Sequence, residues 1–419
     1  MEYRSRCIEK QIERNLKALG AIAIVGPKWS GKTTTAKLFC KSSIEFADPA
    51  DKKRYLGMAD IDIALLLNGD KPRLFDEWQI LPELWDTIRY DVDSNDRTGA
   101  YILTGSNAVD RSEILHSGAG RIVTLKMTTM SLFESGDSDG SISLSGLFGE
   151  SSEIYAESNH TIEDISRLIV RGGWPEVVGE SDDVARTHLR GYCGALLDQE
   201  ISSIDGKKRD PARMGRILRS LARNESTEAN NSVILSDAIS DGNSMHINTL
   251  NDYLNALGML YVRDDLLAWR PNLRSKTAIR TSPVRHFTDP SIGAFFIGAN
   301  PNDLLNDPQT LGSYFESLVV RDIRAYSSAI DAEVYHYRDK DGLEADVIIH
   351  TDDGRWAALE VKLGKKDVDE GAKHLLKLRE KVDTKVESEP AFLAVITYTG
   401  LAYRRKDGVY VIPIGCLGP

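Results

Sequence analysis

The sequence predicts an α/β protein of more than one domain, with a parallel sheet near its N-terminal end. Three observations carry this. The apolar run Ala21-Ile22-Ala23-Ile24-Val25 reads as a buried strand, and it enters a glycine-containing loop and then the helix-like Thr34-Thr35-Ala36-Lys37-Leu38-Phe39. Strand-like and helix-like segments alternate to about residue 133, the pattern of helices packed on a parallel sheet. From Gly312 onward, helix, strands, helix and strands follow one another again. At 419 residues the chain exceeds one ordinary core, so about two to three domains are expected.

The loop after the first strand, Gly26-Pro27-Lys28-Trp29-Ser30-Gly31-Lys32-Thr33, is a complete G-x-x-x-x-G-K-T phosphate-binding loop in strand–loop–helix context. Gly26 and Gly31 let the backbone curl, so that amide groups and the helix start face an anion. Lys32 is positioned to reach the β- and γ-phosphates of ATP, and the Thr33 hydroxyl to meet Mg²⁺. Thr34 completes the expected nucleotide contacts, which run from Gly26 to Thr34.

Hydrolysis needs partners on neighbouring strands. Leu74-Phe75-Asp76-Glu77 is a short apolar strand ending in two acids, preceded by Pro72, which a strand tolerates only at its start. Asp76 is assigned to magnesium and Glu77 to the general base that polarises the attacking water. The next strand, Ala100-Tyr101-Ile102-Leu103, leads to Thr104-Gly105-Ser106-Asn107, which makes Ser106 and Asn107 candidates to contact the γ-phosphate or the water. Arg121, in Gly118-Ala119-Gly120-Arg121-Ile122, is a candidate to stabilise transition-state charge, either in its own subunit or in a neighbour's site. Arg97 is a weaker rival.

Residues 134–160 are rich in Ser, Gly, Asp and Glu, the composition of a mobile loop or insertion. Residues 161–200 read as helical, interrupted at Arg171-Gly172-Gly173-Trp174-Pro175. Helix candidates at 211–223, 232–240 and 247–257 precede two strand-like pieces, Leu260–Arg263 and Leu266–Trp269, which together outline three helices and a hairpin, a winged helix. The third helix, Ile247–Leu257, contains no Lys or Arg and includes Asp252, which opposes phosphate. Lys207, Lys208, Arg209, Arg213, Arg216 and Arg219 form one basic cluster, and Arg270, Arg274, Lys276, Arg280 and Arg285 another; either could follow a DNA backbone or simply face solvent.

In the last part, Gly312–Val320 reads as a helix carrying Glu316, followed by strands at 334–338, 343–349 and 356–362. Strand alternation places Glu344 with Asp346, and Glu360 with Lys362, on one face each. An antiparallel hairpin would then gather Asp346, Glu360 and Lys362. Two carboxylates suit a hard divalent ion, and a lysine beside them can orient water against a phosphodiester.

The chain resembles prokaryotic AAA-type ATPases that carry a C-terminal domain of unknown function with a restriction-endonuclease-like fold. The resemblance rests on Gly26–Thr33, Phe75-Asp76-Glu77-Trp78-Gln79, Leu103-Thr104-Gly105-Ser106, Gly120-Arg121-Ile122, Gly172-Gly173-Trp174-Pro175-Glu176 and the C-terminal segments. It implies an AAA-type P-loop NTPase domain over 1–165 (with 134–160 as the insertion), a winged-helix middle domain over 166–290, and a nuclease-like α/β domain over 291–419. The last resembles the PD-(D/E)xK pattern, with Asp346 as first acid, Glu360-Val361-Lys362 as E-x-K, and Glu316 as the helical acid beside Asp346 and Glu360 at the metal. ATP-gated action on DNA by a metal-dependent phosphodiesterase is the function this implies. A regulatory ATPase whose nuclease-like domain only binds nucleic acid or protein is the rival. A homo-oligomer, hexameric or smaller, is expected.

Composition narrows the classes. With 41% hydrophobic residues and no bilayer-length apolar run, no membrane partner is expected. Net charge of −11 argues against an all-over basic coat for nucleic acid. Cys7, Cys40, Cys193 and Cys416 are too scattered for a structural zinc site or a disulfide framework. The charged start, Met1–Lys10, lacks a signal peptide's apolar core, so a cytoplasmic location is expected.

Overall fold

Helix α1 (Glu9–Ala18) leads into β1 (Ala21–Val25), which continues through the glycine loop into α2 (Lys32–Lys37). The computed structural model describes residues 3–108, 116–149, 154–201, 204–239, 245–271, 282–382 and 388–419. The chain then forms β2 (Ser42–Glu45), α3 (Pro49–Asp62), β3 (Arg73–Asp76), α4 (Glu83–Asn95), β4 (Tyr101–Gly105) and β5 (Ile122–Lys126). These five strands make one parallel sheet in the order β2-β3-β4-β1-β5. Every residue of β1, β3 and β4 is buried, which is why they read as continuous apolar runs. Helix α4 buries Leu84, Trp85, Ile88 and Val92, an i, i+4, i+8 stripe with one flanking residue, against this sheet.

Register fixes where chemistry can occur. Val25 pairs with Gly105 and Asp76 with Thr104, so the loops after β1, β3 and β4 leave the sheet side by side. Strand β4 lies between the loop strand β1 and the acid strand β3, which opens a crevice at the strands' carboxyl ends.

Among the described residues of 134–160, the expected mobile insertion gives way to short anchored elements: α5 (Leu132–Ser135), β6 (Ile142–Ser143), α6 (Leu144–Leu147) and β7 (Ala156–Ser158). Leu144, Leu147, Phe148 and Ala156 belong to the core of the C-terminal part, and β7 forms the edge of its sheet. The polar composition misled because these elements are very short: a few apolar residues among serines and glycines are enough to anchor them.

Helix α7 (Ile162–Arg171) joins the same core, and α8 (Asp182–Ala195) opens the middle part, running on into a π-type turn at Leu196–Glu200. Helices α9 (Pro211–Arg223), α10 (Asn231–Ala238) and α11 (Ile247–Met259) follow. Met214, Ile217, Leu218 and Leu221 of α9 give the i, i+3, i+4, i+7 stripe that centres this core. The expected hairpin between 260–263 and 266–269 is not formed. Both pieces lie on one arm: Arg263 pairs antiparallel with Phe287, Leu266 with Val284, and Ala268 continues beside His336.

Helices α12 (Pro290–Ile297), α13 (Pro301–Asn306) and α14 (Pro308–Ser328) precede β8 (Ala332–Arg338), β9 (Glu344–Thr351), β10 (Trp356–Val361), α15 (Val368–Lys381), β11 (Phe392–Thr397), β12 (Gly400–Arg404), β13 (Tyr410–Pro413) and β14 (Leu417–Gly418). Seven strands form a mixed sheet in the order β7-β12-β13-β11-β10-β9-β8. Val347, Ile349, Ala357 and Leu359 face the core that contains α14, while Ile348, Trp356 and Ala358 face the one that contains α15. The sheet is thus sandwiched between two helical layers. Among the described residues no helix is long and apolar enough to cross a membrane.

Because Phe148 is 5% exposed and packs edge-on against Phe392 at 5.2 Å, Phe148→Ala is expected to cost about 3–5 kcal/mol in a denaturant titration. A change within about 0.5 kcal/mol, typical of an exposed site, would show that the segment is peripheral after all.

Candidate functional site

The crevice at the carboxyl ends of β1, β3 and β4 holds a cavity of about 630 Å³. Its wall includes Lys28, Trp29, Gly31, Lys32, Thr33 and Thr34 of the loop, and Asp76 and Glu77. Two glycines make the loop possible. Gly26 has φ 152°, and a Cβ there would lie 2.1 Å from the Met127 carbonyl oxygen. Gly31, at φ 94°, starts α2 in the left-handed region that favours glycine.

The Lys32 ammonium is buried and donates to the carbonyl of Pro27 in its own loop at 2.7 Å. Burial pushes it down to about 8, against the pull of Glu77 and Asp76. A buried cation with two carboxylates nearby and only a carbonyl in contact is a fitting receptor for a phosphate group. The Thr33 hydroxyl donates to Asp76 Oδ1 at 2.6 Å, and the Thr104 hydroxyl donates to the same oxygen at 2.6 Å. Asp76 is thereby held at the cavity wall beside a hydroxyl, a donor set that suits a hard cation such as Mg²⁺.

Glu77 adopts φ 56°, an uncommon conformation for a side-chain-bearing residue. Its Oε2 accepts from Ser106 Oγ at 3.0 Å and from Gln79 Nε2. Ser106 therefore reaches the site through Glu77. Asn107 does not. It lines a separate cavity of about 410 Å³ with Trp78, Trp85, His116 and Tyr261, because the chain turns after Ser106 toward the middle part, where Ala108 N donates to Met259 O at 2.8 Å. Pro27 and Ser30 act through the backbone: the Ser30 carbonyl accepts from Arg6 Nη1 at 2.6 Å. Lys28 pairs with Glu200 at 2.5 Å, and the Trp29 ring lies 5.7 Å from that of Tyr192, so the π-type turn and α8 lean on the loop.

Arg121 is not brought to this cavity. It immediately precedes β5, whose first residue pairs with Ala21, at the amino ends of the strands and so at the opposite end from the loop. Its guanidinium pairs with Asp93 at 2.5 Å. Arg97 pairs with Asp91 at the same distant end.

Residues that the sequence did not single out complete the wall. Arg6, from the segment before α1, lies on the loop and pairs with Glu134 at 3.1 Å, 128 positions away. The Arg171–Glu176 turn has a packing reason: a Cβ on Gly173 would lie 2.0 Å from the Met130 carbonyl oxygen, Trp174 Nε1 donates to Ser291 Oγ at 3.1 Å, and Pro175 and Glu176 line the cavity. Thr104 was legible only as part of a motif; nothing local in the sequence marks Arg6 or Glu134.

The C-terminal carboxylates come together in part. The hairpin register places Asp346 beside Glu360, and Asp346 Oδ2 accepts from Val361 N at 2.7 Å. Lys362 Nζ pairs with Glu360 at 2.6 Å. These three lie on the α15 side, where Gly371 approaches the side chains of Glu360 and Lys362. Burial, reinforced by Asp346, pushes Glu360 up to about 8; burial also raises Asp346, against the pull of Lys362. Burial and then the charges of Asp346 and Glu360 push Glu316 well above the carboxylate range. Glu316 comes from α14, on the other layer. Among the described residues no three His, Cys, Asp or Glu side chains are grouped to hold a metal, so the expected ligand set of Glu316, Asp346 and Glu360 is not assembled. Glu344 turns outward to Arg338 at 3.2 Å.

Much of the basic charge of the middle part is engaged internally. Asp252 of α11 takes Lys207 at 2.9 Å and Arg209 at 3.0 Å; Arg285 is buried against Asp265 at 2.6 Å; Arg216 donates to the Ala238 carbonyl at 3.1 Å. Lys208, Arg219 and Arg270 are exposed. Arg274, Lys276 and Arg280 lie outside the described residues.

The depressed ammonium of Lys32 gives a pH dependence whose sign can be worked out. An anion favours the charged form, so binding above pH 8 requires proton uptake, and ATP affinity should fall as pH rises through about 8. Calorimetry in buffers of different ionisation enthalpy should register that uptake, and Lys32→Arg should remove it. In the folding equilibrium the same shift makes the native state bind fewer protons than the unfolded one above pH 8, so the burial penalty on stability is relieved as pH rises toward the ordinary lysine value. Affinity unchanged between pH 7 and 9 would show that Lys32 does not carry the anion.

Comparison with known proteins gives three family matches along the chain. Residues 19–135 match the AAA domain, residues 162–303 a domain of unknown function (DUF8612), and residues 311–417 another domain of unknown function (DUF4143). Two uncharacterized proteins, from Mycobacterium bovis and Mycobacterium tuberculosis, are each 22% identical over 359 residues, covering 84% of this chain and 72% of theirs. A Walker-type ATPase of Pyrococcus abyssi superposes with a TM-score of 0.42 at 16% identity, over 69% of this chain and 94% of its own. The first part of the chain is similar to the AAA domain, and the middle and last parts are similar to families without an assigned activity.

Proposed function

We propose that this chain binds ATP with Mg²⁺ and hydrolyses it, and that the nucleotide state controls what its C-terminal part does. The observation that supports this best is the convergence of Lys32, Thr33, Asp76 and Glu77 on one cavity from two separate strand ends, those of β1 and β3. In this reading Lys32 neutralises the β- and γ-phosphates while the loop from Gly26 to Thr34 wraps them. Thr33 and Asp76 would hold magnesium, which when bound spreads the charge of the phosphates. Glu77 takes the proton of the attacking water, and Ser106 and Gln79 orient its carboxylate. Thr104 keeps Asp76 from turning away. Arg121, remote from its own cavity, would serve hydrolysis in a neighbour's site, which would require a homo-oligomer.

The target of the C-terminal part has two readings. Asp346, Glu360 and Lys362 on one face support a metal-dependent phosphodiesterase acting on DNA. The ion pair between Lys362 and Glu360, together with the lack of a three-ligand group among the described residues, favours the second: a regulatory domain that binds nucleic acid or a protein without cutting.

Glu77→Gln should keep nucleotide binding and lower turnover by about 10²-fold or more, the usual contribution of a general base. Lys32→Ala should abolish binding itself. Equal turnover in Glu77→Gln and wild type would remove Glu77 from the chemistry. Incubating the protein with plasmid DNA and Mg²⁺, beside Asp346→Asn and Lys362→Ala, decides the second question: cutting that both changes abolish establishes the phosphodiesterase, and intact DNA in all three supports the regulatory reading.

A further inference from the structure

We propose that the state of the phosphate-binding loop is transmitted to α14, the helix that carries Glu316, through a buried chain of hydrogen bonds beginning at Arg6, and that Arg6 is a positioning residue for the loop. The proposal rests on the nucleotide-binding reading above and adds a route between its two halves.

The chain can be followed atom by atom. Arg6 borders the nucleotide cavity, and its guanidinium donates to the Ser30 carbonyl at 2.6 Å, to the Thr128 carbonyl at 2.9 Å and to Glu134 at 3.1 Å. Glu134 accepts in turn from Cys7 N and from Ser131 N, each at 2.7 Å, and so fixes the start of α5. From that start, Leu132 N donates to Asp322 Oδ2 of α14 at 2.9 Å. Asp322 Oδ1 takes Arg321 at 2.9 and 2.7 Å, and Arg321 reaches Asp289 at 3.3 Å. Asp289 closes the route by accepting from Thr129 Oγ1 at 2.7 Å and from Gly173 N at 2.9 Å, both beside the cavity wall.

Burial makes this a route and not a set of independent contacts. Arg6, Glu134, Arg321, Asp322 and Asp289 are at most 6% exposed. None of these charges can exchange its partner for water, and leaving one unpaired in the interior is costly. A reorientation of the Ser30 peptide, next to the flexible Gly31, must therefore be followed by Arg6, then by Glu134 and α5, then by Asp322. Glu316 lies six residues before Asp322, about 9 Å along a helix that rises 1.5 Å per residue. Coupling of this kind is reciprocal, so a change at Asp322 should alter nucleotide affinity as well.

The test uses the full chain and a non-hydrolysable ATP analogue with Mg²⁺. Binding is measured by calorimetry, and amide hydrogen exchange is followed in residues 131–136 and 316–328. In the wild type the analogue is expected to slow exchange in both segments about fivefold or more. Arg6→Lys keeps the charge but cannot span Ser30, Thr128 and Glu134 together; at an analogue concentration that saturates it, whatever its affinity, it should lose the slowing in 316–328. Glu134→Gln, which preserves shape, is the second variant should Arg6→Lys not fold. Wild-type protein that binds the analogue with no change in 316–328, or a folded variant that shows the full slowing, overturns the proposal and leaves the nucleotide reading standing. Wild-type protein that binds no nucleotide overturns both.

Discussion

The carboxylate of Asp76 is the point on which the site depends. It receives the hydroxyl of Thr33 from the loop helix and that of Thr104 from the adjacent strand on the same oxygen. Three segments that are far apart in sequence are thereby locked at one depth in the sheet. The parallel register makes this possible, because Asp76 and Thr104 end neighbouring strands.

A second constraint is the interleaving of the first and last parts of the chain. Residues just after the P-loop sheet supply α5, β6 and α6, and then β7, the edge strand of the C-terminal sheet. Helix α14 in turn places Asp322 on the start of α5. The two α/β units are therefore not beads on a string. A buried chain of hydrogen bonds from Arg6 through Glu134 and the start of α5 to Asp322 joins the phosphate-binding loop to α14.

The acidic pair in the C-terminal part illustrates the limit of motif reasoning. Alternation along β9 and β10 correctly gathers Asp346, Glu360 and Lys362, since spacing by two and a hairpin register are local properties. Whether a helical acid joins them depends on which layer its helix packs in, and a pattern of residues does not carry that. Glu316 comes from α14, and the charges of Asp346 and Glu360 reach it, yet among the described residues no three-ligand group is formed. Likewise Lys207, Arg209 and Arg285 look available for nucleic acid until Asp252 and Asp265 are seen to hold them.

The sequence by itself determined the phosphate-binding loop, the paired acids after β3, the buried parallel strands and the principal helices. Each of these is written in contiguous residues whose periodicity and backbone demands are local. Tertiary structure decided the rest: that Asn107 and Arg121 lie away from the cavity, that Leu144, Leu147, Phe148 and Ala156 are core, that the arm at 260–269 pairs with 284–287, and that Arg6 and Glu134 meet. Those outcomes follow from long-range packing and from the need to pair every buried charge. Such pairing brings together residues up to a hundred or more positions apart, which no local pattern in the sequence encodes.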